Sequence, residues 1–464
     1  MKKYFILFNF FFLFGQYDYS LTDLNSSSQY FEQSVGTSYF ENNVTIHYFG
    51  HFNWGLCRTR FGELNTLYDV WKNQNLPVKL IGIGRSKTKG LKKGSISNRE
   101  KLIDEIEASI NAAELMANRK IDKINLGISG EFIRGINTQG AITIGNNINN
   151  NSINGNTITE NDVKNVLDLT KAISLPIDQD ILHVIPQEFK IDSMNSIKEP
   201  VGMTGRRLEA MVHLITVTSA AIDNLVKCIE ELGIEVSEVI YQGLASSLST
   251  LYEDEKELGV ACVDIGSTKT DIIIYCDGGV KFTSTINIGS NSITNDIAVM
   301  LQIPISKSED IKKKYTSAKA NLSSDELKFE IPSMEGQVKR SISENEVSKY
   351  VEARMIEILD IIKNECEQSG LKEKLTYGIV FTGGGSSLKN FEKLAKEVLD
   401  MPIRIGCPQN ISGAVEQATT PSYAVALGLA QWKIFKKQIV NIDDEKPIFK
   451  NKMKKIKSII KEFF

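Results

Sequence analysis

Residues 259–275, GVACVDIGSTKTDIIIY, decide the fold of this chain. An apolar run ends at Asp264, Gly266 and small polar residues follow, and a second apolar run begins after Asp271. Two interpretations fit this pattern: an ordinary β-hairpin, or a hairpin whose turn is shaped to hold a phosphate. Folds that use such a phosphate loop normally carry two of them, so the rest of the chain bears on the choice.

The turn offers the groups that a phosphate needs. Gly266 permits a tight turn with close backbone approach, and Ser267, Thr268 and Lys269 supply amide donors, hydroxyls and a cation. Asp264, at the end of the strand, can orient a Mg²⁺ ion through its water shell. These five residues are the predicted phosphate and metal site.

A second glycine-rich turn, Gly383-Gly384-Gly385, follows the apolar segment GIVF and precedes a helical pattern. Backbone amides at such a strand–helix junction can approach an anion or an adenosine group. Close packing of the strand against the helix would use the same glycines, and both interpretations stay open at this point.

A charged pair on a predicted helix completes the candidate site. Glu309 and Lys312 are three residues apart, so they lie on one helix face and could reach a ribose and a purine. A solvated ion pair is the simpler interpretation if the pair is taken alone.

Composition narrows the class of protein. The chain has 464 residues, 42% hydrophobic and 24% charged, with a formal net charge of −3. This length predicts two or more domains, and the charge argues against a nucleic-acid partner. The six cysteines form no C-x-x-C pair and the four histidines have no metal-ligand spacing, which argues against structural zinc and favours a reducing compartment.

Together, these motifs resemble the nucleotide-binding half of the actin-like ATPase superfamily. The segments IPQEFKID, PVGMTGRRLEAMVHLIT, YQGLASSLSTLY and GIVFTGGGSSLKNFEKLA further resemble the FtsA family of bacterial cell division proteins, over roughly residues 78–464. The resemblance implies an α/β, actin-like (ribonuclease H-like) two-domain fold with an inserted α+β subdomain and a C-terminal amphipathic helix.

The resemblance also implies a division of the chain into seven parts. They are an atypical N-terminal segment at 1–76, a first actin-like domain at 77–131 and 214–257, an inserted subdomain at 132–213, a second actin-like domain at 258–306 and 378–436, a smaller subdomain at 307–377, a linker at 437–446 and a membrane-targeting helix at 447–464.

The N-terminal segment departs from the family pattern. Members carry a first phosphate loop, again of the D-x-G-[ST] type, just before the part that matches LIGIGRSKTKG, and residues 1–76 contain no such loop. The apolar run from Tyr4 to Phe14 has the shape of a signal-peptide core but is followed by no cleavage site. A disordered segment, a degenerate one, and sequence from a misassigned start or frame error all remain open.

By resemblance, the cofactors are ATP and Mg²⁺. Gln242, at a strand–helix junction, corresponds to the position of a water-orienting catalytic residue, and slow hydrolysis at most is expected. Arg354 and Glu357, on the long helix within 307–377, are candidates for binding the C-terminal tail of the tubulin-like protein FtsZ, although an ordinary surface pair would look the same. Self-association into filaments and contacts with later divisome proteins are also implied.

The C-terminal segment PIFKNKMKKIKSIIKEFF, residues 447–464, predicts a helix that lies on a membrane. Apolar side chains recur at three- and four-residue steps, with lysines mostly on the other face, a pattern typical of interfacial helices. Together with the resemblance to the FtsA family, this helix implies a location at the cytoplasmic face of the inner membrane, at the division site. The predicted membrane-contacting residues are Phe449, Met453, Lys454, Lys455, Ile456, Ile460, Phe463 and Phe464.

The predicted function is an ATP-binding anchor that tethers the FtsZ ring to the membrane and helps to recruit later division proteins. Two alternatives share the fold. A pilus-assembly actin-like scaffold would normally lack the basic tail, and a phosphotransferase would need a base near the cleft and no tail.

Overall fold

The computed structural model describes residues 20–22, 34–36, 84, 86, 88–92, 94–117, 119–145, 156–331, 340–409 and 419–439. The chain divides into two units, Met1–Ile81 with Ser412–Val415, and Gly82–Ile411 with Glu416–Phe464. In the first unit, the described elements are the antiparallel strands β1 (Ser20–Thr22) and β2 (Ser34–Gly36). The membrane-helix prediction for 447–464 lies outside the described residues.

The strands of the second unit range from two to thirteen residues in length. They are β3 (Leu91–Lys92), β4 (Ser95–Ile96), β5 (Lys123–Ile128), β6 (Ile133–Thr143), β7 (Asn156–Thr157), β8 (Gln179–Ile191), β9 (Met194–Ile197), β10 (Thr204–Gly205), β11 (Arg207–Thr218), β12 (Glu235–Tyr241), β13 (Val260–Ile265), β14 (Thr270–Cys276), β15 (Gly279–Ile286), β16 (Lys328–Ile331), β17 (Arg340–Ser343), β18 (Ile379–Thr382) and β19 (Ile403–Ile405).

The helices of this unit follow the apolar periodicity of the sequence. They are α1 (Arg99–Ala117), α2 (Glu160–Thr170), α3 (Ser219–Glu230), α4 (Gln242–Thr250), α5 (Glu253–Leu258), α6 (Ser290–Leu301), α7 (Ile305–Tyr315), α8 (Glu344–Gln368), α9 (Phe391–Leu399) and α10 (Ala424–Ile439). Within the described ranges, none of them is long and apolar enough to cross a membrane.

Local capping explains where two of these helices begin. The amide of Lys101 donates to Asn98 Oδ1 over 3.0 Å, in the first turn of α1. At α2, the Thr159 hydroxyl accepts from the Asp162 amide while the Asp162 carboxylate accepts from the Thr159 amide, which forms a capping box. Each helix therefore begins where a polar side chain satisfies one of its first backbone amides.

A five-stranded sheet of order β15-β14-β13-β18-β19 forms the centre of the C-terminal part of this unit. We call this part, which begins at β13, the second half, and the part before it the first half. Its central strands, VACVDI and TDIIIYC, are buried at every position. Such continuous burial requires cover on both faces of the sheet. One face packs against α6, α8 and α9 in a large apolar core, and the other faces a second core that contains residues of α3, α4 and α10.

The first half is built from the parallel pair β5 and β12, with α4 starting directly after β12. Between these strands the chain forms an antiparallel sheet of order β6-β11-β8-β9. Helix α2 covers this sheet through Val163, Val166 and Leu167, which pack on Ile191 and Leu208. The inserted segment is thus an α+β unit with a core of its own.

Helix α10 packs closely on α4. A Cβ atom at Gly428 would meet the backbone of Ala245, so the absence of a side chain lets the two helices approach. The helix continues to Ile439, three residues into the segment predicted as a linker, because no glycine or proline interrupts WKIFKKQI.

Candidate nucleotide site

The stretch at 259–275 folds as an antiparallel hairpin of β13 and β14. Asp264 lies opposite Asp271, and the Gly266 amide donates to the Lys269 carbonyl over 2.9 Å to close the turn. The hairpin of the opening pattern is therefore confirmed, and its use for phosphate remains a prediction.

The alternation of side chains places both carboxylates on one face of the sheet. Val263 and Ile265 belong to the core under α6 and α8, whereas Cys262 belongs to the core on the α4 side. Because successive strand residues point to opposite faces, Asp264 points to the α4 side, and its cross-strand partner Asp271 shares that face. Both acids thus face the first half of the molecule.

Asp264 is a buried carboxylic acid whose charged form has few stabilising neighbours. Burial raises the pKa of Asp264 to about 7, the carboxylate of Asp271 acts in the same direction, and a hydrogen bond from Ser246 opposes them. Since this pKa exceeds the unfolded value, ionisation of Asp264 costs stability as the pH rises from about 4 to about 7. A cation near the carboxylate would offset that cost.

Asp271 is held by hydroxyl groups from two other segments of the chain. Ser129, just after β5, donates its hydroxyl to Asp271 Oδ1 over 2.6 Å, and Thr285 of β15 donates to the same atom over 2.7 Å. Burial raises the pKa of Asp271, and these hydrogen bonds moderate the rise. Tyr241 lies beside Thr285 and donates to the Ser284 carbonyl over 3.0 Å.

The tip of the hairpin is open to solvent. Ser267 and Thr268 are exposed, and their amides make no hydrogen bond to any residue that the structure describes. Lys269 is half-buried, and its ammonium donates to the Ser129 carbonyl. Burial lowers the pKa of Lys269, whereas the nearby carboxylate of Asp271 raises it.

Helix α6 holds the turn from behind. The amides of Ser290 and Asn291 donate to the carbonyls of Gly266 and Ser267 over 3.0 and 2.7 Å. A Cβ atom at Gly289 would lie 2.7 Å from each of these carbonyl oxygens, so only glycine allows the helix to approach. The turn carbonyls are thereby engaged behind the turn, which leaves its exposed amides available to an anion.

The glycine turn after β18 lies directly beside the acid of the hairpin. Strands β13 and β18 are parallel neighbours, with Thr382 opposite Asp264. Gly383 has φ +83°, and a Cβ atom there would collide with Asp264 Oδ1 and with the carbonyl of Ile265. Gly385 packs on Ile265, and Gly384 is exposed. The chain continues in a 3₁₀ helix, Gly384–Ser387, rather than entering an α-helix at once.

Glu309 and Lys312 form the predicted ion pair, with 2.7 Å between Lys312 Nζ and Glu309 Oε2. Lys312 is buried, and its ammonium also donates to Thr294 Oγ1 over 2.8 Å and to the Ser290 carbonyl over 3.1 Å. Burial lowers the pKa of Lys312 against the raising effect of Glu309. The pair is thus joined to the N-terminal part of α6, which also holds the turn at 266–269; its contact with a ribose or purine stays a prediction.

Gln242 is the first residue of α4, next to the carboxyl end of β5. Its side-chain amide donates to the Gly127 carbonyl over 3.0 Å. This bond fixes the side chain beside the carboxyl end of β5, and the proposed water-orienting role stays untested.

Arg354 and Glu357 form their predicted pair on α8, with 2.5 Å between Arg354 Nη1 and Glu357 Oε2. Arg354 also binds Asp296 of α6 through Nε and Nη2, over 2.5 and 3.0 Å. The guanidinium therefore joins two helices, and its contact with a partner remains a prediction.

Sequence reasoning assigned no role to Asp271, Ser129, Tyr241 or Thr285. Asp271 did carry a signal, because a charged residue inside an otherwise apolar strand requires a reason. The other three have ordinary polar side chains, and nothing in their local sequence marks them.

The donor set fits a hydrated divalent ion. Among the described residues, no group of three or more His, Cys, Asp or Glu side chains could hold a metal directly. Mg²⁺ commonly keeps several waters and uses one or two carboxylates plus phosphate oxygens. Asp264 and Asp271, which share one face of the hairpin, would supply those carboxylates.

Comparison with protein families gives two matches. Residues 261–428 match the family described as cell division protein FtsA, and residues 130–216 match the SHS2 domain inserted in FtsA. The second match covers β6 to β11, the antiparallel sheet and its helix.

Curated relatives match over most of their length. The chain is 38% identical to cell division protein FtsA of Borreliella burgdorferi over 392 residues, which cover 84% of this chain and 90% of that protein. It is 36% identical to FtsA of Pseudomonas aeruginosa, over 77% of this chain and 84% of that protein. For FtsA of Escherichia coli K12 the identity is 35%, over 76% of this chain and 84% of that protein.

A solved structure shares the fold at low sequence identity. The chain superposes on a protein of the PilM–PilN type IV pilus biogenesis complex with a TM-score of 0.51 and 14% identity, over 77% of this chain and 99% of that one. At this identity, the match concerns the fold alone.

Proposed function

The chain belongs to the FtsA family of actin-like cell division proteins, and from that premise we propose that it is an ATP-binding anchor for the division ring. It would bind Mg²⁺-ATP between its two halves, attach to the inner face of the cytoplasmic membrane, and hold FtsZ there. It would also help to recruit later divisome proteins.

The nucleotide part rests on one observation: two loops far apart in sequence meet at the ends of adjacent parallel strands. The turn at 266–269 and the glycines at 383–385 flank the buried carboxylate of Asp264. The exposed amides of Ser267 and Thr268 would receive the phosphates, as in other backbone anion sites. The glycine turn would receive the adenosine, with Glu309 and Lys312 toward the ribose and base.

Within this site, each side chain has a distinct task. Asp264 and Asp271 would orient the hydrated Mg²⁺, whose chemistry is to neutralise phosphate charge. Lys269 would add a cation from the side of the turn, and Gln242 would hold water near the terminal phosphate. The family's first phosphate loop would lie before residue 79, and residues 1–76 contain no D-x-G-[ST] sequence that could supply it.

We expect Mg²⁺-ATP affinity to depend on pH through Asp264. Because its pKa is about 7, the carboxylate is mostly protonated at pH 6 and mostly ionised at pH 8. If the ionised form carries the metal, affinity rises about tenfold over this range. Titration calorimetry at both pH values, on the wild type and on Asp264→Asn, measures the effect.

The nucleotide's own terminal phosphate also titrates near pH 6, so the difference between the two proteins is the informative quantity. Asp264→Asn should bind Mg²⁺-ATP more weakly than the wild type at pH 8. Its affinity should change with pH only to the small extent caused by titration of the nucleotide itself. Equal affinities of wild type and variant at pH 8 would contradict the role of Asp264.

The membrane part of the proposal rests on the sequence of 447–464. Six lysines and one glutamate give this segment a net charge of +5, and each lysine near an anionic leaflet contributes about 1 kcal/mol. The inserted apolar side chains, among them Ile456, Ile460 and Phe463, add to this. The sum supports reversible attachment to a surface.

Deletion of 447–464 should abolish sedimentation with vesicles that contain anionic lipid, and FtsZ should then no longer sediment with them. The assay compares intact chain, truncated chain and FtsZ alone. Zwitterionic vesicles provide the control, because the lysines lose their attraction there. Unchanged sedimentation of the truncated chain would refute the anchor.

The proposed binding site for the FtsZ tail is the subdomain of residues 307–377, near Arg354 and Glu357. Helix α8 carries both residues on one side, and Asp296 fixes the guanidinium there. Head-to-tail self-association into filaments is the further assembly proposed, because heterologous contacts that do not close give open polymers.

A further inference from the structure

A direct contact joins the phosphate turn to the first half of the molecule through Lys269. Its ammonium donates to the carbonyl of Ser129, the residue that follows β5 and is bonded through its hydroxyl to Asp271. One short segment of the first half is therefore tied to both Lys269 and Asp271 of the hairpin.

Gly94, the residue before β4, closes over this contact. Its φ is +87°, and a Cβ atom there would lie 2.7 Å from the Ser129 oxygen and 2.9 Å from Lys269 Nζ. The Gly94 backbone thus packs against both partners of the bond. Beyond the turn, β3 is held on α1, since the amides of Lys89 and Gly90 donate to the carboxylate of Glu105 over 2.7 and 3.0 Å.

The ammonium of Lys269 lies on the same turn as the backbone amides of Ser267 and Thr268, which are exposed and could bind an anion. A carbonyl oxygen offers a cation only a partial charge, whereas a phosphate oxygen carries a formal one, and charge-assisted bonds are about twice as strong as neutral ones. The lysine side chain is flexible, and its three donors can be redirected. A phosphate at the turn would therefore compete with Ser129 for Lys269.

We propose that Lys269 is a two-position latch: without nucleotide it holds Ser129 and the Gly94 turn to the phosphate hairpin, and with nucleotide it moves to the phosphates and releases them. The inference rests on the proposed nucleotide site and adds its regulation. Nucleotide occupancy in the second half is thereby transmitted to β3, β4 and the end of β5 in the first half.

Hydrogen exchange of the full-length chain tests the latch. Without ligand, Lys269→Met should exchange the amides around Gly94 roughly tenfold faster than the wild type, the size expected for the loss of one charge-assisted hydrogen bond. Saturating Mg²⁺-ATP should raise the exchange rate of these amides in the wild type to that of the variant. The exchange rate of the variant itself should not change. Lys314→Met, which alters an exposed lysine of α7, is the matched control and should behave as wild type.

A second variant guards against a folding defect in the first. Gly94→Ala keeps every charge but forces a side chain onto Lys269 and Ser129, so it should also loosen the turn without ligand. If neither variant accelerates exchange around Gly94, the latch does not exist.

Calorimetry on the same samples distinguishes failure of the proposed nucleotide site from failure of the proposed movement of Lys269. Failure of wild type to bind Mg²⁺-ATP refutes the nucleotide site and, with it, the movement of Lys269. Tight binding with unchanged or slower exchange around Gly94 refutes the movement alone.

Discussion

Gly383→Ala is expected to lower Mg²⁺-ATP affinity at least tenfold, about 1.4 kcal/mol of binding free energy. Gly383 adopts φ +83° and ψ 167°, a conformation essentially reserved for glycine that costs an alanine about 1–3 kcal/mol, and its added Cβ would strike both Asp264 Oδ1 and the Ile265 carbonyl. The carboxylate that orients the metal and the turn that receives the adenosine would be displaced together. Titration calorimetry with Mg²⁺-ATP measures the loss.

Gly370→Ala is the matched control for this prediction. Gly370 lies outside the proposed site, is exposed, has a comparable φ of +69°, and a Cβ there would meet no atom within 4 Å. We expect its affinity to stay within about twofold of the wild type, a difference of under 0.5 kcal/mol. Equal affinities of the two variants would mean that the glycine turn is not part of the nucleotide site.

Arg404→Met should lower the free energy of unfolding by about 3 kcal/mol. Arg404, on β19, binds both carboxylate oxygens of Glu255 over 2.9 and 2.7 Å and also donates to the Thr250 carbonyl over 3.1 Å. Glu255 is 5% exposed, so removal of the guanidinium leaves a buried charge without its cation. Chemical denaturation followed by circular dichroism measures the change.

Two further variants separate this effect from a general loss of charge. Arg404→Met combined with Glu255→Met removes the uncompensated carboxylate and should recover most of the stability, since apolar replacement of a buried pair is often neutral. Lys396→Met, in the exposed pair with Glu392, should cost less than about 0.5 kcal/mol. A single Arg404 variant as stable as the wild type would show that water reaches Glu255 and screens it.

The Arg404 contact also supports the site from a distance. It holds β19 to the end of α4, and Ser246 of α4 lies beside the Asp264 carboxylate of the candidate site. Loss of affinity in the single variant would follow from displacement of α4 rather than from any contact with nucleotide.

The sequence predicted the local parts of the candidate site because each has its own signature. The turn after Asp264, the three glycines after Thr382, and the i,i+3 pair of Glu309 and Lys312 all occur at the predicted places in the structure. Each depends on residues within a few positions of one another, where spacing and backbone preference suffice. The family resemblance drawn from the motifs is confirmed by the curated relatives.

What the sequence by itself determined is therefore the set of loops and their family. Tertiary structure alone decided which groups meet: Ser129, 142 residues before Asp271, supplies its hydroxyl, and Ser290 and Thr294 bury the ammonium of Lys312. The contact of Lys269 with Ser129 and Gly94 also spans the two halves. Such contacts depend on strand order and packing of remote segments, and spacing along the chain carries no information about either.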